Sequence, residues 1–402
     1  MKLGPALISV VCLFSLGSAS AKTIQVAPPA GDPAVDLVSI DTALSLAGPG
    51  DVIQFDQGTY VIGRPWPGTE VQIERLTLVG HPDGTTLRGG PVIDYSNPQA
   101  FAFRAPKQTV RRLRFESFAW ALELGDYPAL YGGYVVEDCV FETMVGGFSA
   151  LTGGELTVVR NNAFINCAIG FWAMGSDARF SANVFTVPNP SSIPLEHRAW
   201  LAAGVYATDY LHPCENLRFE DNSVIGLPDG FPVYCFPGAV CRNIVIADNT
   251  CTSMTRRDPA DVGSLVLIWA LEPLVFENLT ISGNTLQGSD GWLGVLSNGG
   301  AGIKVLNNTF RDLPNGVGVV LDLGSDGSAV QGNTFENVNY EEVVVLSNDN
   351  LVVTESPDDE VLNLGKGNRV VGRTLRDERS QGLLQALAAH SKAVEKLLRS
   401  AR

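Results

Sequence analysis

The sequence predicts a single-domain, right-handed parallel β-helix of about a dozen coils. Three observations predict it. A short segment of the form polar-Asn-small-apolar recurs along the chain, its copies fall at a base spacing of 21 to 25 residues, and apolar residues stand two positions after each recurring Asn and three positions before every one but the last. A repeat of that length matches one coil of a β-solenoid, in which each unit buries its apolar side chains only against its neighbours.

The clearest copies are Asn161 to Phe164, Ala182 to Phe185, Asp221 to Val224, Asp248 to Cys251, Gly283 to Leu286, Asn307 to Phe310 and Gly332 to Phe335, with a weaker one at Gly367 to Val370. Two earlier segments, ending at Phe118 and Phe141, fit the phase without the Asn and put Glu116 and Cys139 at the key position. The gaps Asn183 to Asn222, Asn222 to Asn249, Asn249 to Asn284 and Asn333 to Asn368 are longer and mark insertions.

Three residues before the key position stand Leu113, Val136, Val159, Phe180, Phe219, Ile246, Ile281, Val305 and Val330. Both flanking sets must face a core, so one strand precedes the Asn and another follows it across a sharp bend. Asn tolerates φ > 0 and hydrogen-bonds locally, so it is expected to form the bend and to bond its stacked copies. A third strand follows a Gly-containing turn, as at Gly170 to Met174 and Gly316 to Leu323. The Leu-x-x-Leu-x-Leu pattern of a leucine-rich repeat, which has a similar period, is missing.

The ends differ from the middle. Leu37, Ile40, Leu44 and Ala47 lie at helical spacing in residues 35–47, before Gly48, and predict a helix over the open edge of the first coil. Asp51 to Phe55 then reads as the first strand. Leu383, Leu384, Leu387, Val394, Leu397 and Leu398 form an apolar stripe that predicts a C-terminal amphipathic helix over 379–402. It either caps the last coil or pairs with a second chain, the route to self-association.

Residues 1–21 read as a secretory signal: Lys2, an apolar run from Ala6 to Leu16 too short to span a bilayer, and small residues at Ala19-Ser20-Ala21. The β-helix domain is then 22–378, in a secreted or periplasmic protein. The sequence before Cys12 lacks the pattern of a lipoprotein signal. A formal charge of −15 repels polyanions and argues against nucleic acid or an anionic membrane as partner.

The run IDTALSLAGPGDVIQFDQGTYVI, the following LTLVG and the Asn-x-Phe ladder together resemble the pectin lyase-like right-handed parallel β-helix superfamily, including NosD-type and carbohydrate-processing repeat proteins. The resemblance covers nearly all of the mature chain and implies the fold. It does not imply one reaction, because the scaffold carries lyases, hydrolases, epimerases, esterases and non-catalytic binders. The polygalacturonase set NTD, DD, GHG and RxK and the pectin methylesterase motifs are absent, and Asp258-Pro259-Ala260-Asp261 lacks the His of the epimerase signature DPHD.

Insertions on a rigid solenoid are the expected binding surface. The longest carries His197, Arg198, Trp200, Tyr206, Asp209, Tyr210 and His212; the next two carry Tyr234, then Arg256, Arg257, Asp258 and Asp261. Stacked coils are expected to set these loops side by side along one groove. A uronate lyase needs a cation against the carboxylate and a base: Arg198, Arg256 or Arg257 suits the first role and His197 or His212 the second. A hydrolase needs paired carboxylates, for which Asp209, Asp258 and Asp261 are the candidates. The bland alternative is that all of these are solvated loop residues.

Trp172, Tyr206, Trp269 and Trp292 fall on or near third strands; facing outward they would stack on sugar rings, and facing inward they would fill the core. Arg112 and Arg114 flank inward Leu113 and could grip an anionic chain, though a solvated strand face explains them as well. No metal site is predicted. Turn carboxylates at Asp126, Asp177, Asp322, Asp326 and Asp349 could hold Ca2+, but they lack calcium-loop spacing. Cys214 and Cys241 lie eight residues before Asn222 and Asn249, so they stack on adjacent coils. At about 4.8 Å they fall within the Cα range of a disulfide, and that bridge is predicted, with Cys235 as a rival partner for Cys241. Cys139, Cys167 and Cys251 are expected inside.

Two functions follow: an exported protein that binds or modifies an extended polysaccharide as a lyase, hydrolase or epimerase, or a non-catalytic periplasmic or surface protein that engages protein partners. The sequence leaves open whether the protein is an enzyme.

Overall fold

The computed structural model describes residues 21–92, 97–125, 130–188, 202–208, 213–235, 238, 240–253, 263–288, 293–356 and 359–375, with side chains described except at 205–208, 271–275 and 375. The chain winds as a right-handed parallel β-helix. Each coil contributes a strand to a first sheet, bends at the Asn, continues into a second sheet, and turns into a third.

Register fixes the columns. In the first sheet Val110, Val136, Val159, Phe180, Phe219, Ile246, Ile281, Val305, Val330 and Val352 stack directly on one another. In the second, Phe115, Phe141, Phe164 and Phe185 stack with ring centroids 5.2, 4.8 and 4.7 Å apart, and Val224, Cys251, Leu286, Phe310 and Phe335 continue the column.

These columns correct the phase at two places. Phe115, not Phe118, pairs with Phe141, so Leu113 and not Glu116 occupies the key position, and Val110 stands three residues before it. The bend is at Arg112, with φ 56°. At the other end Asn368 precedes the first-sheet strand Arg369–Val371, at the opposite end from the bend, and stacks on Asn350 of a coil the spacing had skipped.

The bend itself differs from expectation. The left-handed residue is the one before the ladder Asn: Asp138, Asn161, Ala182, Asp221, Asp248 and Asn307 have φ between 53° and 57°, and Gly283 and Gly332 have 66° and 65°. The polar residues and glycines that dominate this position tolerate that backbone best. The ladder Asn is thereby freed to turn inward, where Asn162, Asn183, Asn222, Asn249, Asn284, Asn308 and Asn333 are all buried. Each from Asn162 to Asn308 donates its backbone N–H and its Nδ2 to Oδ1 of the next, at 2.9 to 3.0 Å, and also donates Nδ2 to a first-sheet carbonyl of the preceding coil. A buried amide left unpaired would cost about 1–3 kcal/mol; here each side chain is satisfied.

The helix forms at Pro33–Leu46, capped by Asp32, whose carboxylate accepts from Ala34 N at 2.9 Å. It buries Ile40 and Ala43 and packs on strands Thr23–Gln25 and Gly58–Val61, covering the edge of the first coil as expected. Its Asp36 is buried too, bound to Ala30 N and Val61 N at 2.7 and 2.8 Å. The first strand is Thr23–Gln25, which pairs with Val52–Gln54 and which the sequence reading missed. The predicted helix at 379–402 and the signal segment lie outside the described residues.

The third sheet is apolar on both faces. Val266, Ile268, Val295, Val319, Val343, Val345 and Val361 belong to the main core, while Leu267, Leu296, Val320, Val344 and Leu362 form a second cluster on the outward face.

Candidate functional site

His197, Arg198, Trp200, Asp209, Tyr210, His212, Arg256, Arg257, Asp258, Asp261 and Trp292 lie outside the described residues. Their flanking strands nonetheless sort them. His197, Arg198 and Trp200 fall between second-sheet strand Val184–Thr186 and third-sheet strand Ala202–Thr208; Arg256 to Asp261 fall between Thr250–Thr252 and Ser264–Val275; Trp292 falls between Thr285–Gln287 and Leu293–Ala301. All three insertions leave the same corner. Asp209, Tyr210 and His212 leave the opposite end of Ala202–Thr208, whose seven residues span about 20 Å.

At the first corner the floor holds a carboxylate that sequence reasoning missed. Ala202, Asp229, Ser264 and Leu293 stack in one register column. Ala202 and Leu293 belong to the outward cluster, so the column faces away from the core. Asp229 is 3% exposed, and its Oδ1 accepts from both the N–H and the Oγ of Ser264 at 3.2 Å. It sits where the strands following residues 189–201 and 254–262 begin. The signal was hidden in Leu227-Pro228-Asp229-Gly230, which reads as an ordinary turn.

The second corner, between third and first sheets, carries a polar cleft of about 430 Å³ lined by Gly154, Glu155, Leu156, Asp177, Arg179, Asn216 and Arg218. Along its edge Asn216 donates to Asp177 at 2.8 Å, Asn243 to Asn216 at 3.0 Å and Asn278 to Asn243 at 3.2 Å. All four have positive φ. This is a second ladder, on the outside, with Asn216, Asn243 and Asn278 exposed. Both guanidiniums of the cleft, Arg179 and Arg218, are paired with Glu220.

The aromatics do not form one row. Trp172 is half-buried beside the outward cluster, Tyr234 and Trp269 are buried within it and pair with each other in register, and Tyr206 occupies the register position of core residues Ala173 and Val233. Arg114 is paired with Glu142. Among the described residues no three metal-binding side chains converge; Asp177 holds Asn216 and Ser176, and Asp322 holds Asn298 and Leu323.

The Cys214–Cys241 bridge is not formed, although the two are register partners as the spacing required. Side chains of directly stacked parallel residues project side by side, which keeps their Cβ atoms apart, and Cys241 Sγ instead lies 2.9 Å from Cys235 Sγ. Hydrogen bonds from Cys214 and then Cys235 hold the Cys241 thiol below the ordinary thiol range, while burial pushes the other two up. Cys139, Cys167 and Cys251 are buried as expected, and burial raises all three, Cys139 to about 12. No described helix is long and apolar enough to cross a membrane.

No protein-family model matches the chain, and no curated protein matches it by sequence. Solved structures share the fold. The tailspike protein of E. coli bacteriophage HK620 aligns with a TM-score of 0.58 at 13% identity, over 86% of this chain and 64% of that one. The same tailspike in complex with hexasaccharide aligns at 0.53 and 12%, over 87% and 68%. A PL6 alginate lyase in complex with trisaccharide aligns at 0.45 and 12%, over 89% and 87%. The likeness to the tailspike is one of fold alone, a parallel β-helix.

Proposed function

We propose that this is an exported protein that binds an extended, hydroxyl-rich polysaccharide along the corner between its third and first sheets. The observation that carries the reading is the outer ladder Asp177, Asn216, Asn243 and Asn278 beside the cleft, which repeats a donor and an acceptor at every coil. A row of side-chain amides about 4.8 Å apart suits a polymer whose hydroxyls both donate and accept. The tailspike likeness supports a sugar ligand, since that protein is known in complex with penta- and hexasaccharides.

The ligand proposed is neutral. Arg179 and Arg218 are already satisfied by Glu220, and the protein carries a net charge of −15, so a uronate carboxylate would meet little unspent positive charge. A separate catalytic role is proposed for the other corner, about 20 Å away, where Asp229 stands in the column at which the strands following residues 189–201 and 254–262 begin.

Binding to a panel of neutral and uronic-acid glycans tests the first part. Asn216→Ala is expected to weaken binding of a neutral glycan about tenfold, equivalent to about 1.4 kcal/mol. Tight binding of uronates alone, unaffected by that substitution, would sink the reading. Asp229→Asn is expected to lower turnover about 100-fold while leaving binding intact; full activity in that variant removes the catalytic corner.

A further inference from the structure

We infer that the C-terminal segment, residues 376–402, lies back along the outward face of the third sheet and covers its apolar column. Leu267, Leu296, Val320, Val344 and Leu362 are register neighbours on five successive coils. Each alternates with core residues on the same strand, so each points away from the core. Yet their exposures are 2, 1, 0, 0 and 0%. An outward column of branched side chains cannot leave water without a layer over it, just as a parallel sheet needs cover on both faces.

No described element supplies that layer. The rest of the cluster comes from the same sheet, and the helix Pro33–Leu46 packs at the far end, on Thr23–Gln25 and Gly58–Val61. The insertion at 254–262 has nine residues and that at 289–292 has four, and both are anchored near Leu267 and Leu296, not near Leu362.

The C-terminal segment fits in position, length and chemistry. Arg373–Leu375 is itself a third-sheet strand, and Leu375 pairs with Leu362, so the chain leaves the described structure at the end of the column. A helix from Gln381 to Arg399 would be about 28 Å long, against about 19 Å for the four coil steps from Leu362 to Leu267. Its stripe of Leu383, Leu384, Leu387, Val394, Leu397 and Leu398 supplies an apolar face. Residues 376–402 also contain six Lys and Arg against three Asp and Glu in an otherwise acidic protein, and the end of the column holds Glu341, Glu342, Asp359 and Glu360. Docked there, the segment contributes to the core of its own molecule.

The full chain tests this by photocrosslinking. Leu387→benzoylphenylalanine, irradiated at low protein concentration, is expected to link within one molecule to peptides spanning Leu293–Ala301, Val317–Leu321 or Val343–Val345. Links between two chains would overturn the proposal in favour of dimerisation, and links confined to Arg369–Val371 would overturn it in favour of a cap on the last coil. Independently, the full-length variant Leu383→Ser/Leu387→Ser/Leu397→Ser is expected to bind a hydrophobic dye several-fold more strongly while retaining its β circular-dichroism signature. Unchanged dye binding with that signature retained counts against the covered column.

Discussion

Asn249 gives both its main-chain N–H and its side-chain amide to a single oxygen, Oδ1 of Asn284, across 35 residues of sequence. The same two bonds join coils separated by 21, 24 or 39 residues. Rod geometry therefore does not depend on how much chain is inserted between rungs.

Asn284→Ala should be among the most damaging polar substitutions. It strips the acceptor from Asn249 N and Nδ2 and the donor from the Ile246 carbonyl, all buried. At about 1–3 kcal/mol for each stranded group, partly relieved by relaxation, the expected loss is about 3–5 kcal/mol. Urea unfolding monitored by tryptophan fluorescence reads it; a midpoint equal to the parent protein's would refute the ladder's energetic role.

Gly204→Ala should be destabilising for a steric reason that a second substitution can relieve. A Cβ at residue 204 would run into the ring of Phe171, its register neighbour on the previous coil. Overpacking of this kind costs about 1–3 kcal/mol. Phe171→Leu alone leaves a gap and also destabilises, but the double variant should lose less than the sum of the two single losses. Strict additivity in thermal melts would contradict the proposed contact.

Glu342 sets a pH dependence. Burial first, then the neighbouring Asp359 and Glu360 carboxylates, raises its pKa, while Glu360 N donates to it at 2.6 Å. The folded chain then holds this proton more tightly than the unfolded chain. Stability is greatest below the ordinary carboxylate value and falls as pH rises through the raised folded value. Glu342→Gln should accordingly stabilise the protein at pH 7 and make no difference near pH 3. Equal effects at both pH values would show that the carboxylate's charge is not the cause.

Among the cysteines, mild oxidation by glutathione disulfide should join Cys241 to Cys235, the two thiols passing two electrons and two protons to the oxidant. Their sulfurs are already adjacent, and the lowered Cys241 thiol is the better nucleophile. Cys139, Cys167 and Cys251 should resist alkylation until the chain unfolds, because burial disfavours their thiolates. Non-reducing peptide mapping reads both; recovery of a Cys214–Cys241 peptide would reverse the assignment.

Coils with a full Asn motif were legible because three constraints coincide there: a left-handed residue, an inward amide and an inward apolar side chain two positions later. Near Phe115 and Phe118 the Asn is lacking and both aromatics are buried, so the apolar pattern alone fitted two phases. The third strand was least readable. Val317 to Leu321 is buried throughout, and the alternation that separates inside from outside vanishes when both faces are covered. For the same reason the sequence left Trp269 open between a sugar platform and a core residue, and Asp229 drew no notice. The loop residues were chosen for type and for insertion length, which locate a corner of the rod but not a mutual geometry.

The exposed amides at Asn216, Asn243 and Asn278 sit at the ends of first-sheet strands, and their spacing is dictated by the backbone to which they are fixed. A ligand that engages them must match the rise of the protein's own coils. Selectivity on this edge would then be metric, discriminating among polymers by the advance per monomer before any single hydroxyl is recognised.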